Sequence, residues 1–159
     1  MPLEQGLVQI YTGDGKGKTT AALGLALRAA GHGLRVHIVQ FMKGWLDAGE
    51  HRAVEWLPTV TLARFGHRGF VNPRHPRPED FQQAQLALEE GRRAMRSGEV
   101  DILILDEAIT ALSFGLLSLA DILGLLAERP THVELVLTGR DAPAELCQRA
   151  DLVTEMCAR

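Results

Sequence analysis

The feature that constrains the fold most is a glycine-rich segment near the start of the chain, residues 13–20. A short apolar run ending at Ile10 precedes it, and a segment rich in alanine and leucine follows it as far as Ala30. This order of strand, glycine-rich loop and helix is typical of a phosphate-binding loop. The pattern G-x-x-x-x-G-K-[ST] is missed by one residue, because Thr12 stands where its first glycine belongs.

The residue types of this loop suit a phosphate group. Glycines can turn successive N–H groups toward one anion, and the N-terminus of the following helix adds free N–H groups and a positive dipole end. The ammonium of Lys18 supplies a point charge, and the hydroxyl of Thr19 is a hard oxygen ligand for Mg²⁺. We therefore predict a nucleoside-triphosphate site formed by Gly13, Asp14, Gly15, Lys16, Gly17, Lys18, Thr19 and Thr20.

A second polar site is expected where the apolar run at residues 100–105 ends in two carboxylates, Asp106 and Glu107. A strand with terminal acids is common by itself. In a phosphate-loop fold, however, an acid at the tip of a neighbouring strand holds Mg²⁺ across from the loop hydroxyl. We predict that Mg²⁺, or Mn²⁺, is held by Thr19, Asp106 and Glu107. A later strand leads to Arg140, which we expect at the same edge of the sheet, where a cation can meet phosphate.

Patterns typical of strands and helices alternate along the whole chain. We predict strands at residues 7–10, 35–41, 60–65, 100–107, 133–137 and 152–154, and helices at residues 18–30, 49–57, 79–97, 118–127 and from Pro143 onward. Such alternation predicts an α/β fold with a mostly parallel sheet, helices on both faces and one domain over residues 1–159. With the phosphate loop in place, the fold we expect is the RecA-like phosphate-loop type. Leu23, Leu27 and Ala30 are predicted to face the sheet from the first helix.

Composition argues against several classes of protein. The net charge of −3 is not that of a general nucleic-acid binder, and no segment approaches the ~20 apolar residues that cross a membrane. Cys147 and Cys157 lack zinc spacing, and we interpret them as reduced thiols of a cytoplasmic protein. The histidines show no ligand spacing and are interpreted as surface or loop residues: His32, His37, His51, His67, His75 and His132.

The segment at residues 66–78 is basic and contains three prolines. One hypothesis is a mobile basic flap that covers a polyanionic ligand, and the other is a solvated surface loop. The residues alone leave both open.

Several stretches of sequence carry a further signal when they are taken together. They are residues 12–22, residues 39–44 with Gly49-Glu50, and residues 69–70, then Leu105-Asp106-Glu107, Thr138-Gly139-Arg140 and residues 150–156. In this order and spacing they resemble the phosphate-loop family of ATP:corrinoid adenosyltransferases, over nearly the whole chain. The resemblance implies transfer of the 5′-deoxyadenosyl group of ATP to the cobalt of a reduced cob(I) corrinoid, with release of triphosphate.

The resemblance also implies roles for individual residues. Lys18, Glu107 and Arg140 would be catalytic, stabilising charge on the departing triphosphate. Arg28 would lie near the nucleotide, with a solvent-facing charge on the helix as the alternative, and Phe70 would contact the corrinoid. ATP would be the co-substrate and a corrinoid the substrate, with a reductase or flavin as electron donor. Family members are commonly homodimers, and residues 44–78 are our candidate region for contact with a partner.

The sequence also departs from the family pattern. Members often carry a tryptophan two residues beyond the phenylalanine, where this chain has Asn72, and many carry a longer amino-terminal segment and a basic carboxyl tail. Two alternatives therefore stand beside the transferase. One is a phosphate-loop ATPase or small-molecule kinase, which would release ADP. The other is a non-catalytic carrier or sensor that binds ATP and corrinoid without forming a carbon–cobalt bond.

Overall fold

The computed structural model describes residues 3–159, and a six-stranded sheet forms its centre. The strands are β1 (Val8–Thr12), β2 (Val36–Gln40), β3 (Val60–Arg64), β4 (Ile102–Asp106), β5 (Glu134–Thr138) and β6 (Leu152–Glu155). The helices are α1 (Lys18–Gly31), α2 (Gly49–Ala53), α3 (Pro78–Arg96), α4 (Ala108–Ser113), α5 (Leu119–Glu128) and α6 (Ala144–Gln148), with a 3₁₀ turn at Val54–Trp56.

The order of strands across the sheet is β3-β2-β4-β5-β1-β6, and the five pairings recorded among residues 3–159 are all parallel. The prediction of a RecA-like α/β fold is confirmed. Because the strands run in one direction, the segments that follow them meet at a single edge of the sheet. The register between neighbouring strands determines which residues lie side by side at that edge. Gln40 of β2 is paired with Asp106 of β4, and Tyr11 of β1 is paired with Thr138 of β5.

Two apolar cores cover the two faces of the sheet. One lies under α3 and includes Leu88, Met95 and Leu105, all nearly inaccessible to solvent. The other lies under α1 and includes Ile38 and Ile104. The central strands β2 and β4 are buried along their whole length, as strands covered on both faces must be.

Helix α1 contacts the sheet through a different face from the one predicted. Its buried apolar residues are Ala22, Ala26 and Ala29, whereas Leu27 is 60% exposed and Leu23 and Ala30 are only partly buried. The prediction that these residues face the sheet was therefore wrong for Leu27, whereas Leu23 and Ala30 pack against the border of this core. Alanines spaced by four and three residues form a smooth stripe that allows the helix to approach the strands closely.

Other differences from the predicted elements are small. Helix α4 was not predicted, because its six residues are too few to show helical periodicity and merge with the apolar strand before them. The interpretation of His37 as a surface or loop residue was wrong, since it lies in β2 and is 7% exposed. Over residues 3–159, the structure contains no helix with both the length and the apolar character needed to span a membrane.

Candidate functional site

The glycine-rich loop joins β1 to α1 and folds back on itself. Gly13 and Gly17 have φ angles of 101° and 115°, in the left-handed region that favours glycine. The ammonium of Lys18, a residue only 9% exposed, donates to the carbonyl oxygen of Gly15 over 2.7 Å. The loop therefore holds a buried cation directly at the N-terminus of α1.

The segment after β6 packs against this loop. Met156 donates its N–H to the carbonyl of Thr12 over 2.9 Å and accepts the N–H of Gly15 over 2.7 Å. A Cβ atom at Gly13 would lie 2.3 Å from the Met156 carbonyl oxygen, so only glycine allows this approach. The main chain at Met156 thus supports the loop from its outer side, a contact that no pattern in the sequence indicated.

Asp106, at the end of β4, is the centre of the polar network. It is 1% exposed, and its Oδ1 accepts hydrogen bonds from the hydroxyls of Thr19 over 2.8 Å and Thr138 over 2.7 Å. Its Oδ2 accepts from the amide of Gln40 over 3.3 Å and from the ammonium of Lys43 over 2.7 Å. The predicted meeting of Thr19 with Asp106 is thus present in the structure, while Gln40 and Lys43 were not predicted.

A histidine orients the Gln40 side chain. Nε2 of His51 lies 2.7 Å from Oε1 of Gln40, while Nδ1 of His51 faces the donor groups of Ala48 N and Arg64. Those donors place the ring proton on Nε2, which donates to Gln40. Burial and the charge of Arg64 lower the pKa of His51, which favours this neutral form. His51, too, was interpreted as a surface or loop residue, and no local pattern pointed to its contact with Gln40.

Glu107 follows Asp106 with a left-handed backbone, φ 66°, and its N–H donates to the hydroxyl of Thr138 over 2.9 Å. A non-glycine residue in this conformation persists only where its surroundings fix it, and Thr138 does so here. Burial and the neighbouring Asp106 charge raise the pKa of the Glu107 carboxyl, while Lys43 opposes them. Two adjacent carboxyl groups in one buried corner favour occupancy by a cation.

An apolar cavity of about 240 Å³ lies beside Glu107. Phe41, Met42, Phe70, Val71 and Phe114 are among the residues that line it. Phe70 is 84% exposed, and its ring packs edge to face against the ring of Trp45, with ring centroids 5.0 Å apart. The exposed Phe70 ring lines this cavity and is supported by Trp45, so it offers an apolar surface to a ligand.

The basic segment at residues 66–78 is tied to the start of α3. His67 contacts Asp80 and Arg77, and the N–H of Arg77 donates to Asp80 over 2.7 Å. The Arg77 guanidinium also donates to the carbonyl of Arg68 over 3.3 Å. These contacts fix the base of the segment and leave Phe70 at its exposed tip.

The remaining predicted residues lie at the periphery. Arg28 is exposed on α1, close enough to Tyr11 to influence its pKa, and Arg140 is exposed, with its backbone N–H bonded to Thr110 over 3.2 Å. Lys16 and Thr20 are exposed, and Asp14 accepts the N–H of Ala158 over 3.3 Å. The structure therefore brings Lys18, Thr19, Asp106 and Glu107 together and leaves Arg28 and Arg140 facing solvent.

The donor set at Thr19 and Asp106 fits a hard cation. A hydroxyl and a carboxylate are the oxygen ligands that Mg²⁺ accepts, and Mg²⁺ sites usually combine one or two carboxylates with water and phosphate oxygens. No cluster of three or more His, Cys, Asp or Glu side chains arranged for metal binding occurs in residues 3–159. The ammonium of Lys43 lies within hydrogen-bond distance of both side chains, which shows that the position accommodates positive charge.

The parallel sheet, the glycine-rich loop after β1 and the acidic end of β4 together define the class of protein. It is an α/β protein in which a glycine-rich loop lies opposite an acidic strand end. Residues 4–159 match the family described as ATP:corrinoid adenosyltransferase BtuR/CobO/CobP. The chain therefore belongs to the ATP:corrinoid adenosyltransferase family.

Individual relatives support this assignment. The corrinoid adenosyltransferase of Pseudomonas aeruginosa is 34% identical over 153 residues, which cover 96% of this chain and 75% of that protein. The corrinoid adenosyltransferase CobA of Salmonella typhimurium is 34% identical over 96% of this chain and 77% of its own length. The corrinoid adenosyltransferase of Escherichia coli is 33% identical with the same two coverages.

Proposed function

We propose that this chain transfers the 5′-deoxyadenosyl group of ATP to the cobalt of a reduced cob(I) corrinoid. The observation that carries the proposal is the meeting of Thr19 with Asp106, beside buried Lys18, in a chain of the corrinoid adenosyltransferase family. The names of its relatives point to the same activity. No observation favours the ATPase, the kinase or the non-catalytic carrier.

In the proposed reaction, the electron pair of cob(I) forms a bond to carbon 5′ while the bond from carbon 5′ to the triphosphate oxygen breaks. The electron pair of the broken carbon–oxygen bond leaves on inorganic triphosphate, and the pair of cob(I) becomes the cobalt–carbon bond. The nucleophile carries no proton, so the reaction needs no general base. Its demands are alignment of carbon 5′ with cobalt and stabilisation of the departing negative charge.

In this proposal, the residues of the site would meet those demands in the following way. The Lys18 ammonium would exchange its contact with the Gly15 carbonyl for a phosphate oxygen, joined by the N–H groups at the start of α1. Thr19 and Asp106, with Glu107 beside them, would hold Mg²⁺ or Mn²⁺, which neutralises phosphate charge when bound. The apolar cavity next to Glu107 would receive the corrinoid, with Phe70 against it. Exposed Arg28 and Arg140 are free to turn toward the nucleotide.

Several finer properties belong to the same proposal. A cob(I) substrate requires an electron donor, for which we propose a reductase or flavin. We propose a homodimer that uses residues 44–78, because Trp56 in this region is 78% exposed. We propose a cytoplasmic protein, in accord with Cys147 and Cys157, which are both free thiols.

The test is an anaerobic absorbance assay with chemically reduced cobalamin, Mg-ATP and protein, with the phosphate products separated by ion exchange. We expect adenosylcobalamin and triphosphate in equal amounts, and at least a ~100-fold loss in Lys18→Ala, since one removed charge contact on the transition state costs about 2.7–4 kcal/mol. Arg96→Ala, at the opposite edge of the sheet, is the matched control. Release of ADP would replace the transferase with an ATPase or kinase, and binding of both substrates without turnover would establish a carrier.

A further inference from the structure

Lys43 occupies a fixed place between two strands. It follows β2 by three residues, and the chain turns at Met42, whose φ is 61°. The N–H of Lys43 donates to the carbonyl of Phe65 over 2.9 Å, which secures its backbone next to the end of β3. The side chain is only 18% exposed, so it extends into the site and not into solvent.

The ammonium of Lys43 bridges the two proposed metal ligands. Its Nζ lies 2.7 Å from Oδ2 of Asp106 and 3.3 Å from Oγ1 of Thr19. The other recorded donors to Asp106 are neutral, two hydroxyls and one amide, so Lys43 is its sole charged partner among residues 3–159. Asp106 is 1% exposed, and breaking a buried ion pair by removing one partner leaves an uncompensated charge, so this contact is costly to lose.

We infer that Lys43 is a built-in counter-cation of the metal site, which occupies the cation position between Thr19 and Asp106 in the ligand-free protein and is displaced when the divalent cation binds. The inference rests on the proposed metal–ATP site. A divalent cation and an ammonium repel strongly at hydrogen-bond distance, so both cannot share Oδ2 of Asp106. The flexible four-carbon side chain of lysine allows the ammonium to leave while its backbone stays anchored.

This exchange has a consequence for binding order. Without ATP, the metal must displace an ammonium that already neutralises Asp106, which weakens metal binding by the protein alone. With ATP, phosphate oxygens supply further ligands to the metal and a new partner for a displaced ammonium. Lys43 would thus suppress metal binding in the absence of nucleotide. It is a positioning residue, because it acts on the metal ligands.

The experiment measures Mn²⁺ binding by electron paramagnetic resonance of the free ion, first with Mn²⁺ alone and then with Mn²⁺ and ATP. The variants are Lys43→Met, which removes the charge and keeps most of the volume, and Lys43→Arg, which keeps the charge. Arg96→Met removes an equal charge at the opposite edge of the sheet, where Arg96 pairs with Glu128 over 2.8 Å. We expect Lys43→Met to bind Mn²⁺ alone at least ~10-fold more tightly than the unaltered protein. This factor is a modest part of the Coulomb repulsion between an ammonium and a divalent cation at hydrogen-bond distance. The Lys43→Arg and Arg96→Met proteins should keep the unaltered affinity.

Thermal unfolding supplies a second readout. In EDTA, Lys43→Met should melt at a lower temperature than the unaltered protein, because Asp106 loses its charged partner. Added Mn²⁺ should then raise the melting temperature of Lys43→Met by more than it raises that of the unaltered protein. A purely structural role would give the first effect without the second.

The outcomes separate this inference from the proposed function. Equal or weaker Mn²⁺ binding by Lys43→Met, with normal binding in the presence of ATP, overturns the counter-cation role and leaves the transferase standing. Absence of Mn²⁺ binding by every protein, even with ATP, overturns the metal site and this inference together. Tighter binding in Arg96→Met would assign the effect to net charge and overturn the inference as well.

Discussion

The Thr138 hydroxyl is the contact whose loss should most clearly expose how the acidic strand end is fixed. The residue is fully buried, donates to Oδ1 of Asp106 over 2.7 Å and accepts the N–H of Glu107 over 2.9 Å. Thr138→Val keeps the shape of the side chain and removes both hydrogen bonds. We therefore expect a large loss of stability from a nearly isosteric change.

The magnitude follows from the two bonds. A hydrogen bond to a charged group contributes about 1.5–3 kcal/mol, and a buried N–H left without a partner costs about 1–3 kcal/mol. Relaxation around the Glu107 turn and burial of the new methyl group offset part of this, so we expect a decrease of about 2–4 kcal/mol in the free energy of unfolding. With a urea m-value of about 2 kcal/mol/M, the midpoint should fall by about 1–2 M.

The assay is urea unfolding followed by circular dichroism, in EDTA so that bound metal does not contribute. The control is Thr138→Ser, which keeps the hydroxyl and removes one methyl group, a change worth about 1 kcal/mol. If the valine variant were as stable as the serine variant, the hydroxyl would not be what fixes Asp106 and Glu107. The reasoning about this corner would then be refuted.

Two further predictions concern other parts of the chain. Burial lowers the pKa of His37, so the folded protein binds fewer protons there than the unfolded chain, and stability should decrease as pH falls from about 6.5 through the lowered pKa. His37→Gln should flatten that part of the profile of unfolding free energy against pH, and an unchanged slope would contradict the assignment. Gly139 has a φ of 143° and a Cβ there would lie 2.3 Å from the Thr110 nitrogen, so Gly139→Ala should cost at least ~3 kcal/mol in a calorimetric or urea measurement. Gly124→Ala, in open space within α5, should instead stabilise by about 0.5–1 kcal/mol, and equal effects of the two would be inconsistent with the packing described.

The parts of the site that the sequence predicted are those determined by local order. A glycine-rich loop between a strand and a helix, and a pair of acids after an apolar strand, each have a short pattern with a physical cause. The rule that parallel strands end at one edge then brings Thr19 and Asp106 together without knowledge of the register. Their 2.8 Å contact is the outcome of these two local signals and one topological rule.

The parts that were missed depend on register and on distances between elements. Gln40 reaches Asp106 because the two residues are paired across β2 and β4, although 66 positions separate them in sequence. Lys43 and His51 depend on the same pairing, since Lys43 reaches Asp106 from the turn after β2 and His51 orients Gln40. The buried face of α1 was missed for a related reason, because hydrophobicity favoured Leu27 while the close approach to the sheet selected alanines.

The register of β2 against β4 therefore determines more of the chemistry than any single motif. It places two donors of different kinds on one carboxylate oxygen, an amide held by His51 and an ammonium on a flexible side chain. The amide is held by His51, whereas the ammonium of Lys43 lies on a flexible side chain and contacts only the two side chains that would hold the metal, Asp106 and Thr19. A site in which one donor is rigid and the other exchangeable keeps Asp106 oriented while the cation beside it changes. One fixed donor and one exchangeable donor would therefore keep the Asp106 carboxylate in the same orientation before and after metal and nucleotide bind.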